Sequence, residues 1–341
     1  MTKERVTISD IARKLNLHHS TVSMAVNNHP DVSPTTREKV LALVKELDYN
    51  PNYVARNFKS RKSTTIGVIV PTITNNFFAH AISGIESVVY KAGYYVMLCQ
   101  SNESYEKELL TVNALISNRV SGSIACPSQT TKTYEHFKKF LRQRIPLVFY
   151  DRECQGIETS KVVVDDYEGA FNAVEYLINS GYKRIAHLAG PTYISNSFNR
   201  YKGYLAALKK YHIPVDEKLI IYGSFIEKHG TEGFKKFQQL EELPEAIFAV
   251  NDTVAIGAFR EIKKNGLKIP DDIALVGFSD DPIDTLVDPP LTTVSQPAYK
   301  IGKTAAELLI EQIECENNQF EPRHIVLKTK LIVRNSTKSL S

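Results

Sequence analysis

The chain contains 341 residues, of which 43% are hydrophobic, 9% aromatic and 23% charged, as in a globular protein with more than one domain. No segment approaches about eighteen consecutive apolar residues, and the first positions are polar and charged, so neither a membrane-spanning helix nor an export signal is expected. The protein is therefore predicted to be soluble and cytoplasmic. The four cysteines lack the paired spacing of a zinc site or a disulfide framework, and neither a metal nor a cofactor is predicted.

Positive charge is concentrated near the start of the sequence. Residues 1–62 contain 11 of the 42 Lys and Arg but only 6 of the 38 Asp and Glu, a net charge of +5, whereas the remainder has a net charge of −1. This asymmetry indicates a small module that contacts a polyanion and a nearly neutral body with another task.

Three short helices are predicted within the basic module. Thr7 to Asp10 fits a capping box that begins the first helix, a second amphipathic helix begins near Ser20, and Ser33-Pro34 begins a third. The first two helices are joined by a tight turn, which is typical of a small all-α helix-turn-helix domain, here over residues 1–50. In such a domain the second helix enters the major groove of DNA with its N-terminal end first.

Short apolar runs alternate with helical stretches after residue 65. Continuous Val, Ile and Leu runs separated by crossover helices predict parallel sheets that are covered on both faces. About nine strands suit two doubly wound subdomains better than one sheet, so an α/β body is predicted over residues 63–341. The predicted strands are 66–70, 95–99, 123–126, 147–150, 162–164, 185–189, 219–222, 246–250 and 273–278.

Polar and aromatic side chains cluster at the ends of these strands, where such a fold places its ligand groups. Carboxylates and guanidinium groups can hold hydroxyls while aromatic faces lie against the apolar face of a ring, so the pattern suits a sugar. For any one of these residues, the alternative is a surface salt bridge or a loop cap. The candidate effector-binding residues are Thr74, Phe77, Phe78, Asp151, Arg152, Asn196, Arg200, Phe225, Asn251, Asp252, Ser279, Asp280 and Gln296.

Catalysis in the cleft between the subdomains is not predicted. The sequence has no Ser-His-Asp order, no HExxH, no phosphate loop and no glycine fingerprint, and its nine histidines are scattered. The residues therefore favour a binding protein over an enzyme, and no catalytic residue is assigned.

A series of motifs follows in order along the chain: Val-Thr-Ile-Ser-Asp-Ile-Ala (6–12), Ser-Thr-Val-Ser (20–23), Val-Asn-Asn (26–28), Val-Ser-Pro-Thr-Thr-Arg-Glu-Lys-Val (32–40), Leu-Asp-Tyr-Asn-Pro-Asn (47–52), Val-Ala-Arg (54–56) and Ile-Gly-Val-Ile-Val-Pro (66–71). Together they closely resemble the LacI/GalR family of bacterial transcriptional regulators, and the resemblance continues through the whole chain. It implies a DNA-binding regulator, in most relatives a repressor. It also implies a periplasmic-binding-protein-like body whose chain crosses between the subdomains near residues 163, 294 and 323.

The resemblance implies roles for individual residues of the helix-turn-helix domain. Variable residues early in the second helix read bases in the family, and the matching positions are His19, Ser20 and Met24. The family usually has Arg where this chain has Met24, whose thioether offers only apolar contact, so an unusual operator half-site is expected. The alternative for Met24 is a half-buried packing residue. The matching phosphate-binding positions are Thr21, Ser23, Asn27, Ser33 and Thr36. The alternative for Thr21 and Ser33 is a helix cap, and both roles can hold at once.

Residues 51–62 resemble the hinge helix of the family. That segment folds only on operator DNA, paired with its dimer mate, and inserts an apolar side chain into the minor groove. The matching minor-groove positions are Ala55 and Phe58, and the family usually has Leu in place of Phe58. A phenyl ring can also unstack a base step, so insertion is favoured over incidental exposure of this ring.

The resemblance also bears on the effector site. The Asp-Arg pair at 151–152 resembles a pair in pentose- and hexose-binding relatives, and Arg200 and Asp252 match effector-contacting positions. Phe225 stands where relatives place a Trp or Phe against the effector. Ser279, however, stands where many sugar-responsive members have Asp, so the identity of the effector stays open.

A homodimer on a palindromic, double-stranded operator is the implied assembly, with a small-molecule effector, a sugar or sugar derivative, in the cleft. The final residues lack the leucine-heptad tail of the family's tetramers. Whether the effector acts as an inducer or a corepressor is left open. Two alternatives remain. One is a sugar-binding transport protein, which the basic headpiece disfavours, and the other is a related regulator that responds to a protein partner or a non-sugar corepressor.

Overall fold

The computed structural model describes residues 6–49, 63–315 and 320–339. The chain divides into two compact units, Met1–Ser63 and Thr64–Ser341, which we call the headpiece and the body. The predicted hinge segment, with Ala55 and Phe58, lies outside the described residues. No helix in the described ranges is long and apolar enough to cross a membrane.

The headpiece contains three helices, α1 (Ile8–Leu15), α2 (His19–Val26) and α3 (Pro34–Glu46). The predicted capping box is confirmed, because the Thr7 amide donates to Asp10 Oδ2 at 2.9 Å and the Asp10 amide donates to Thr7 Oγ1 at 3.3 Å. One apolar side of each helix is buried against the other two. The buried residues of this small core are Ile11, Ala12, Val22, Ala25, Val32 and Val40.

The body begins with alternating strands and helices. Its first part contains β1 (Thr65–Val70), α4 (Asn76–Val89), β2 (Tyr95–Gln100), α5 (Tyr105–Ser117), β3 (Gly122–Ala125), α6 (Lys138–Arg142), β4 (Leu147–Tyr150), β5 (Ser160–Val164), α7 (Asp166–Asn179), β6 (Ile185–Ala189) and α8 (Ser195–Lys210). Its second part contains β7 (Ile220–Tyr222), α9 (Glu227–Phe237), β8 (Ala246–Ala249), α10 (Asp252–Lys264), β9 (Ala274–Ser279), β10 (Thr292–Ser295), α11 (Ala298–Glu314), β11 (His324–Leu327) and β12 (Lys330–Ile332).

Two six-stranded sheets divide the body into two subdomains, which confirms the predicted doubly wound α/β class. The first sheet has the order β11-β5-β4-β3-β1-β2 with parallel pairing, and the second has the order β12-β10-β9-β8-β6-β7, in which β12 is antiparallel. The sequence predicts nine strands, whereas the described residues form twelve. The three additional strands, β10 to β12, have only three or four residues each. β10 (Thr-Thr-Val-Ser) and β12 (Lys-Leu-Ile) lack a continuous apolar run, and the Ile-Val-Leu run of β11 is not assigned to a strand in the sequence analysis.

The chain passes between the subdomains three times. It leaves the first sheet after β5 at Asp165, returns from β10 to α11 at Gln296-Pro297, and crosses again between β11 and β12 at Lys328-Thr329. The third crossing was expected near residue 323. It lies later because residues 324–327 first pair with β5 in the first sheet.

Each sheet is covered by helices on both faces, which explains why its central strands are apolar on both sides. In the first subdomain, α4 and α11 cover one face, and the opposite apolar layer includes Leu115 of α5 and Phe140 of α6. In the second subdomain, α7 and α8 cover one face and α9 and α10 the other. This arrangement directs the carboxyl ends of the parallel strands, and the loops that follow them, to one edge of each sheet.

Several helix pairs of the body approach closely enough that a Cβ atom at a glycine of one helix would meet the backbone of the other. A Cβ atom at Gly302 of α11 would lie 1.9 Å from the carbonyl oxygen of Ala81, and one at Gly84 of α4 would lie 2.1 Å from that of Tyr299. In the second subdomain, a Cβ atom at Gly230 of α9 would lie 1.9 Å from the carbonyl oxygen of Val254. The glycines therefore set the distance between these helices.

Replacing Gly302 with alanine is expected to lower the free energy of unfolding by about 1–3 kcal/mol, because the new methyl group forces α4 and α11 apart. Helix propensity alone would favour alanine over glycine by about 1 kcal/mol. A loss of stability therefore indicates that the packing of the two helices dominates, and a gain indicates that propensity dominates. Urea unfolding followed by circular dichroism measures it. Lys303→Ala, at the exposed neighbouring position, is the control and should change stability by less than about 0.5 kcal/mol. A stabilised Gly302→Ala variant would contradict the prediction.

Candidate functional sites: the helix-turn-helix surface and the inter-subdomain cavity

The N-terminal end of α2 carries the three predicted base-contacting residues. His18 caps the helix, accepting from the Ser20 amide at 3.4 Å, and its Nδ1 lies 2.7 Å from Ser20 Oγ. His19 is exposed, whereas Ser20 and Met24 are half-buried, and Met24 also packs against the headpiece core. The contact of Met24 with the core fits the packing alternative, and its remaining exposure leaves room for apolar contact with a base.

The predicted phosphate-contacting residues have local hydrogen bonds of their own. Ser33 caps α3, with its Oγ accepting from the Thr36 amide at 3.3 Å and donating to Thr36 Oγ1 at 2.8 Å. Asn27 Nδ2 donates to the carbonyl of Ser23 at 2.7 Å. Thr21 and Ser23 are half-buried on α2. Thr21, Ser33 and Thr36 lie at the N-terminal ends of α2 and α3, where helix amides can meet phosphate, whereas Ser23 lies in the middle of α2 and Asn27 is its C-cap.

A cavity of about 690 Å³ lies where the strand-end loops of the two subdomains meet in the body. The structure brings eleven of the thirteen predicted effector-binding residues onto its wall. They are Thr74, Phe77, Phe78, Asp151, Arg152, Asn196, Arg200, Phe225, Asn251, Ser279 and Gln296. A cavity of this size, formed by both apolar and polar groups, can enclose a small molecule.

Aromatic rings form part of the apolar wall. Phe77 and Phe78 lie in the first turn of α4, which Asn75 caps by accepting from the Phe77 amide at 2.9 Å. Their rings meet edge to face with centroids 5.2 Å apart, and both side chains are largely buried. Phe225 follows β7 in the other subdomain and faces the guanidinium of Arg152 at 4.8 Å from the ring centroid.

Arg152 is held by a carboxylate that the sequence analysis did not identify. Its two terminal nitrogens donate to the two oxygens of Glu103 at 2.7 and 2.8 Å, and Nη1 also donates to the carbonyl of Pro127 at 2.9 Å. Burial disfavours the charged form, but Glu103 raises the pKa of Arg152 above its ordinary value. A forked pair of this kind fixes the plane of the guanidinium. The pair with Glu103 thereby orients the guanidinium of Arg152 toward the ring of Phe225 across the cavity.

Asp151 lies beside Arg152 in the left-handed backbone region, with φ of 62°. Burial raises the pKa of Asp151, and the charges of Arg152 and Arg200 oppose that increase. Asn196 Nδ2, from the other subdomain, donates to Asp151 Oδ2 at 3.4 Å, and the Glu153 amide donates to Ser195 Oγ at 3.0 Å. These contacts join the two subdomains at the cavity.

Arg200 is a second buried guanidinium on the cavity wall. Its Nε donates to Asp166 at 2.8 Å, its Nη1 donates to the Val250 carbonyl at 2.7 Å, and its plane lies 3.7 Å from the ring centroid of Phe278. Burial raises the pKa of Asp166 to about 6, against the opposing charge of Arg200. A more distant contact of 3.5 Å joins Arg200 Nη2 to Gln296 Oε1. Arg200 therefore ties α7, α8 and the end of β8 together.

Asp252 and Asp280 do not line the cavity. Asp252 is fully buried, and its oxygens accept from Thr293 Oγ1 at 2.5 Å and from the Asp281 amide at 3.1 Å. Asp280 pairs with Arg334 at 2.6 Å. Their predicted contact with an effector is corrected to a structural role, because Asp252 points inward over Gly277, where any Cβ would lie 2.0 Å from Asp252 Oδ1.

Three cavity-lining residues with chemical significance were missed by the sequence analysis: Glu103, Gln129 and Asp281. Each follows a strand of a parallel sheet, β2, β3 and β9 respectively, so the rule that found the other residues also applies to them. What the sequence could not show is that Glu103 pairs with Arg152, 49 positions later. Within the described residues, no group of three or more His, Cys, Asp or Glu side chains is arranged to hold a metal ion.

Comparison with known proteins agrees with the fold and with the headpiece. Residues 7–52 match the family described as "Bacterial regulatory proteins, lacI family", and residues 174–337 match the "Periplasmic binding protein-like domain". The chain is 34% identical over 337 residues to the HTH-type transcriptional repressor PurR of Vibrio campbellii, with 98% of this chain and 99% of the relative covered. PurR is named as a repressor rather than an enzyme, in agreement with the prediction of a non-catalytic cleft.

Solved structures extend the similarity. The lac repressor dimer bound to operator and the anti-inducer ONPF superposes with a TM-score of 0.84 at 26% identity, covering 98% of this chain and 100% of that one. The transcriptional regulator CelR in complex with cellobiose superposes with a TM-score of 0.73 at 28% identity, covering 97% and 100%. With the helix-turn-helix headpiece and the two-subdomain body, these similarities show that the chain belongs to the lacI family of bacterial regulatory proteins and is a DNA-binding transcriptional regulator.

Proposed function

We propose that this regulator is a repressor that binds a palindromic operator as a homodimer, and that a sugar or sugar derivative in the cavity modulates its operator affinity. The observation that carries the proposal is the composition of the cavity wall. Phe77, Phe78 and Arg152 come from the first subdomain, and Arg200 and Phe225 from the second. A molecule bound there contacts both subdomains and so binds one relative orientation more tightly than another.

The aromatic and polar groups of the wall support a sugar-like ligand. Phe77, Phe78 and Phe225 offer apolar surfaces to a ring, and the carboxylates of Asp151 and Asp281 offer acceptors to hydroxyl groups. The CelR neighbour is named as a complex with cellobiose, which agrees with this chemistry. The predicted hinge segment precedes β1 of the first subdomain in the chain, so we propose that the orientation of the subdomains alters how readily two such segments fold on DNA through Ala55 and Phe58.

The headpiece residues support the operator half of the proposal. His19, Ser20 and Met24 are proposed to contact bases. Because dimers of helix-turn-helix proteins read two half-sites related by two-fold symmetry, a palindromic site is expected. The lac repressor neighbour is named as a dimer bound to operator. The residues proposed to contact phosphates are Thr21, Ser23, Asn27, Ser33 and Thr36.

The proposal is tested with a double-stranded site selected from random DNA by the full-length protein, with binding followed by fluorescence anisotropy. A sugar that binds the cavity is expected to change operator affinity about 5- to 150-fold. Affinity should also fall by orders of magnitude, about 10³-fold or more, between low and moderate salt, since several phosphates are contacted per dimer. The cavity variant Phe225→Ala should weaken the response to the sugar and leave the affinity for the operator in the absence of sugar unchanged.

Two outcomes would contradict the proposal. A flat dependence on salt would exclude operator binding through the headpiece. The second outcome is that no sugar, sugar acid or sugar phosphate changes operator affinity, whereas a protein partner or a non-sugar compound does. The effector would then be that partner or compound and not a sugar.

A further inference from the structure

We propose that the cavity selects a ligand that carries a protonated amino group, such as an amino sugar, and that the carboxylate of Asp281 binds this group. The inference deepens the proposed function and rests on the cavity being the effector site. It is carried by the balance of charges and hydrogen-bonding groups on the cavity wall.

The two guanidinium groups on the wall are already occupied by protein acceptors. Arg152 donates to both oxygens of Glu103, and Arg200 donates to Asp166 and to the carbonyl of Val250, all at 2.7 to 2.8 Å. Each guanidinium is paired with an acidic side chain, Glu103 or Asp166, so its positive charge is largely balanced within the protein and attracts a phosphate or carboxylate on a ligand only weakly. Within the described part of the chain, no lysine or histidine lines the cavity to replace these guanidinium groups.

Asp281, by contrast, has a carboxylate without a partner. It stands at the start of a short 3-10 helix over residues 282–285, yet its side chain does not cap that helix, and no ion pair or side-chain hydrogen bond reaches it from the described residues. Its neighbours Asp252 and Asp280 are acidic, and Arg334 is bound to Asp280 at 2.6 Å. Burial, then these two carboxylates, raise the pKa of Asp281 to about 7.

Gln129 provides a second unsatisfied acceptor on the wall. Its backbone amide donates to Glu103 Oε2 at 2.6 Å, so the residue is fixed in position. Its side-chain oxygen Oε1 is buried and has no donor among the described residues. A buried acceptor without a donor is unfavourable, so a ligand that donates to this oxygen is favoured.

The wall therefore has more negative charge and more free acceptors than its cations can satisfy. Of its charged side chains in the described residues, Glu103, Asp151 and Asp281 are acidic, whereas Arg152 and Arg200 are basic. An ammonium group has three donors and no acceptor, and it supplies the missing positive charge. A neutral sugar supplies donors without the charge, and a sugar phosphate adds charge of the wrong sign.

The test uses the full-length protein and four matched probes on each of three sugars. D-glucose, D-galactose and D-mannose are compared with their amino, N-acetylamino and phosphate derivatives by isothermal titration calorimetry near neutral pH. An amino sugar is expected to bind about tenfold more tightly than its parent sugar, because a charge-assisted hydrogen bond replaces a neutral one. The N-acetyl derivative, which loses the charge and adds an acetyl group, should lack this advantage.

Asp281→Asn should remove the tenfold preference for the amine, which is measured as the ratio of the amine and parent-sugar affinities within the same variant. Asp271→Asn removes the same charge at an exposed site away from the cavity wall and is expected to leave the preference intact. The inference is overturned if a neutral or phosphorylated probe binds more tightly than its amine, or if Asp281→Asn preserves the preference. Failure of every probe to bind would overturn the proposed sugar effector, and this inference with it.

Discussion

Replacing Arg200 with methionine is expected to lower the free energy of unfolding by about 3–5 kcal/mol, because it leaves Asp166 buried without its cation. Both side chains of this pair are only 3% exposed. The variant also loses the hydrogen bond to the Val250 carbonyl and the stacking of the guanidinium on Phe278. Urea unfolding followed by circular dichroism at constant pH measures the change.

A surface pair provides the matched control for the Arg200 variant. Arg184 binds Asp216 at 3.3 Å with both side chains about one-third exposed, so Arg184→Met should cost less than about 1 kcal/mol. Adding Asp166→Asn to the Arg200 variant removes the unpaired carboxylate and should recover part of the lost stability. Equal losses for Arg200→Met and Arg184→Met would show that burial of the pair does not determine its contribution.

Replacing Asp284 with asparagine is expected to make the protein more stable at alkaline pH. Asp284 is fully buried, neither of its oxygens receives a donor from the described residues, and its side chain shares a hydrogen bond with Asp252. Such a contact between two carboxyl groups requires a proton. Burial, followed by the charge of Asp252, raises the pKa of Asp284 to about 10, far above its ordinary value of 3.8.

The direction of the pH dependence follows from this raised pKa. Between about pH 4 and pH 10 the folded protein retains a proton on Asp284 that the unfolded chain releases, so this group makes stability fall as pH rises. Asparagine cannot titrate and donates to Asp252 as the protonated acid does. The stability difference between Asp284→Asn and the parent should therefore grow by about 1.4 kcal/mol per pH unit, or about 4 kcal/mol from pH 6 to pH 9.

Urea unfolding at several pH values tests this prediction, since the titration of other groups largely cancels in the difference between variant and parent. Asp271→Asn, at an exposed position, is the control and should give a stability difference that does not change with pH. A constant difference for Asp284→Asn as well would mean that Asp284 is charged in the folded protein.

Local signals in the sequence were sufficient for much of the fold. The capping box at Thr7 and Asp10 depends on residues three positions apart, and the central strands are continuous apolar runs, so both could be read from short segments. The cavity-lining residues follow from a similar rule, because the carboxyl ends of parallel strands meet at one edge. That rule gives Arg152 and Phe225 correctly as residues of the cavity wall.

What could not be predicted depends on packing between distant segments. Asp252 follows Asn251 directly, yet Asn251 lines the cavity while Asp252 turns inward, and the space over Gly277 that permits this belongs to another strand. The pairing of Arg152 with Glu103 joins two loops that no short pattern connects. The strands β10 to β12 are too short to be recognised from composition, and their pairing with β9, β10 and β5 is what makes them strands.

The glycine contacts between helices imply that mutational tolerance differs sharply across the body. At Gly84, Gly230 and Gly302 even one added methyl group meets a backbone atom, so the helical layers admit little change. The loops that contain Gln129 and Asp281 have no glycine and are free of that constraint. Ligand preference could therefore be redesigned by exchanging loops such as those that contain Gln129 and Asp281, while the helical scaffold stays intact, which makes this protein a suitable starting point for engineered biosensors.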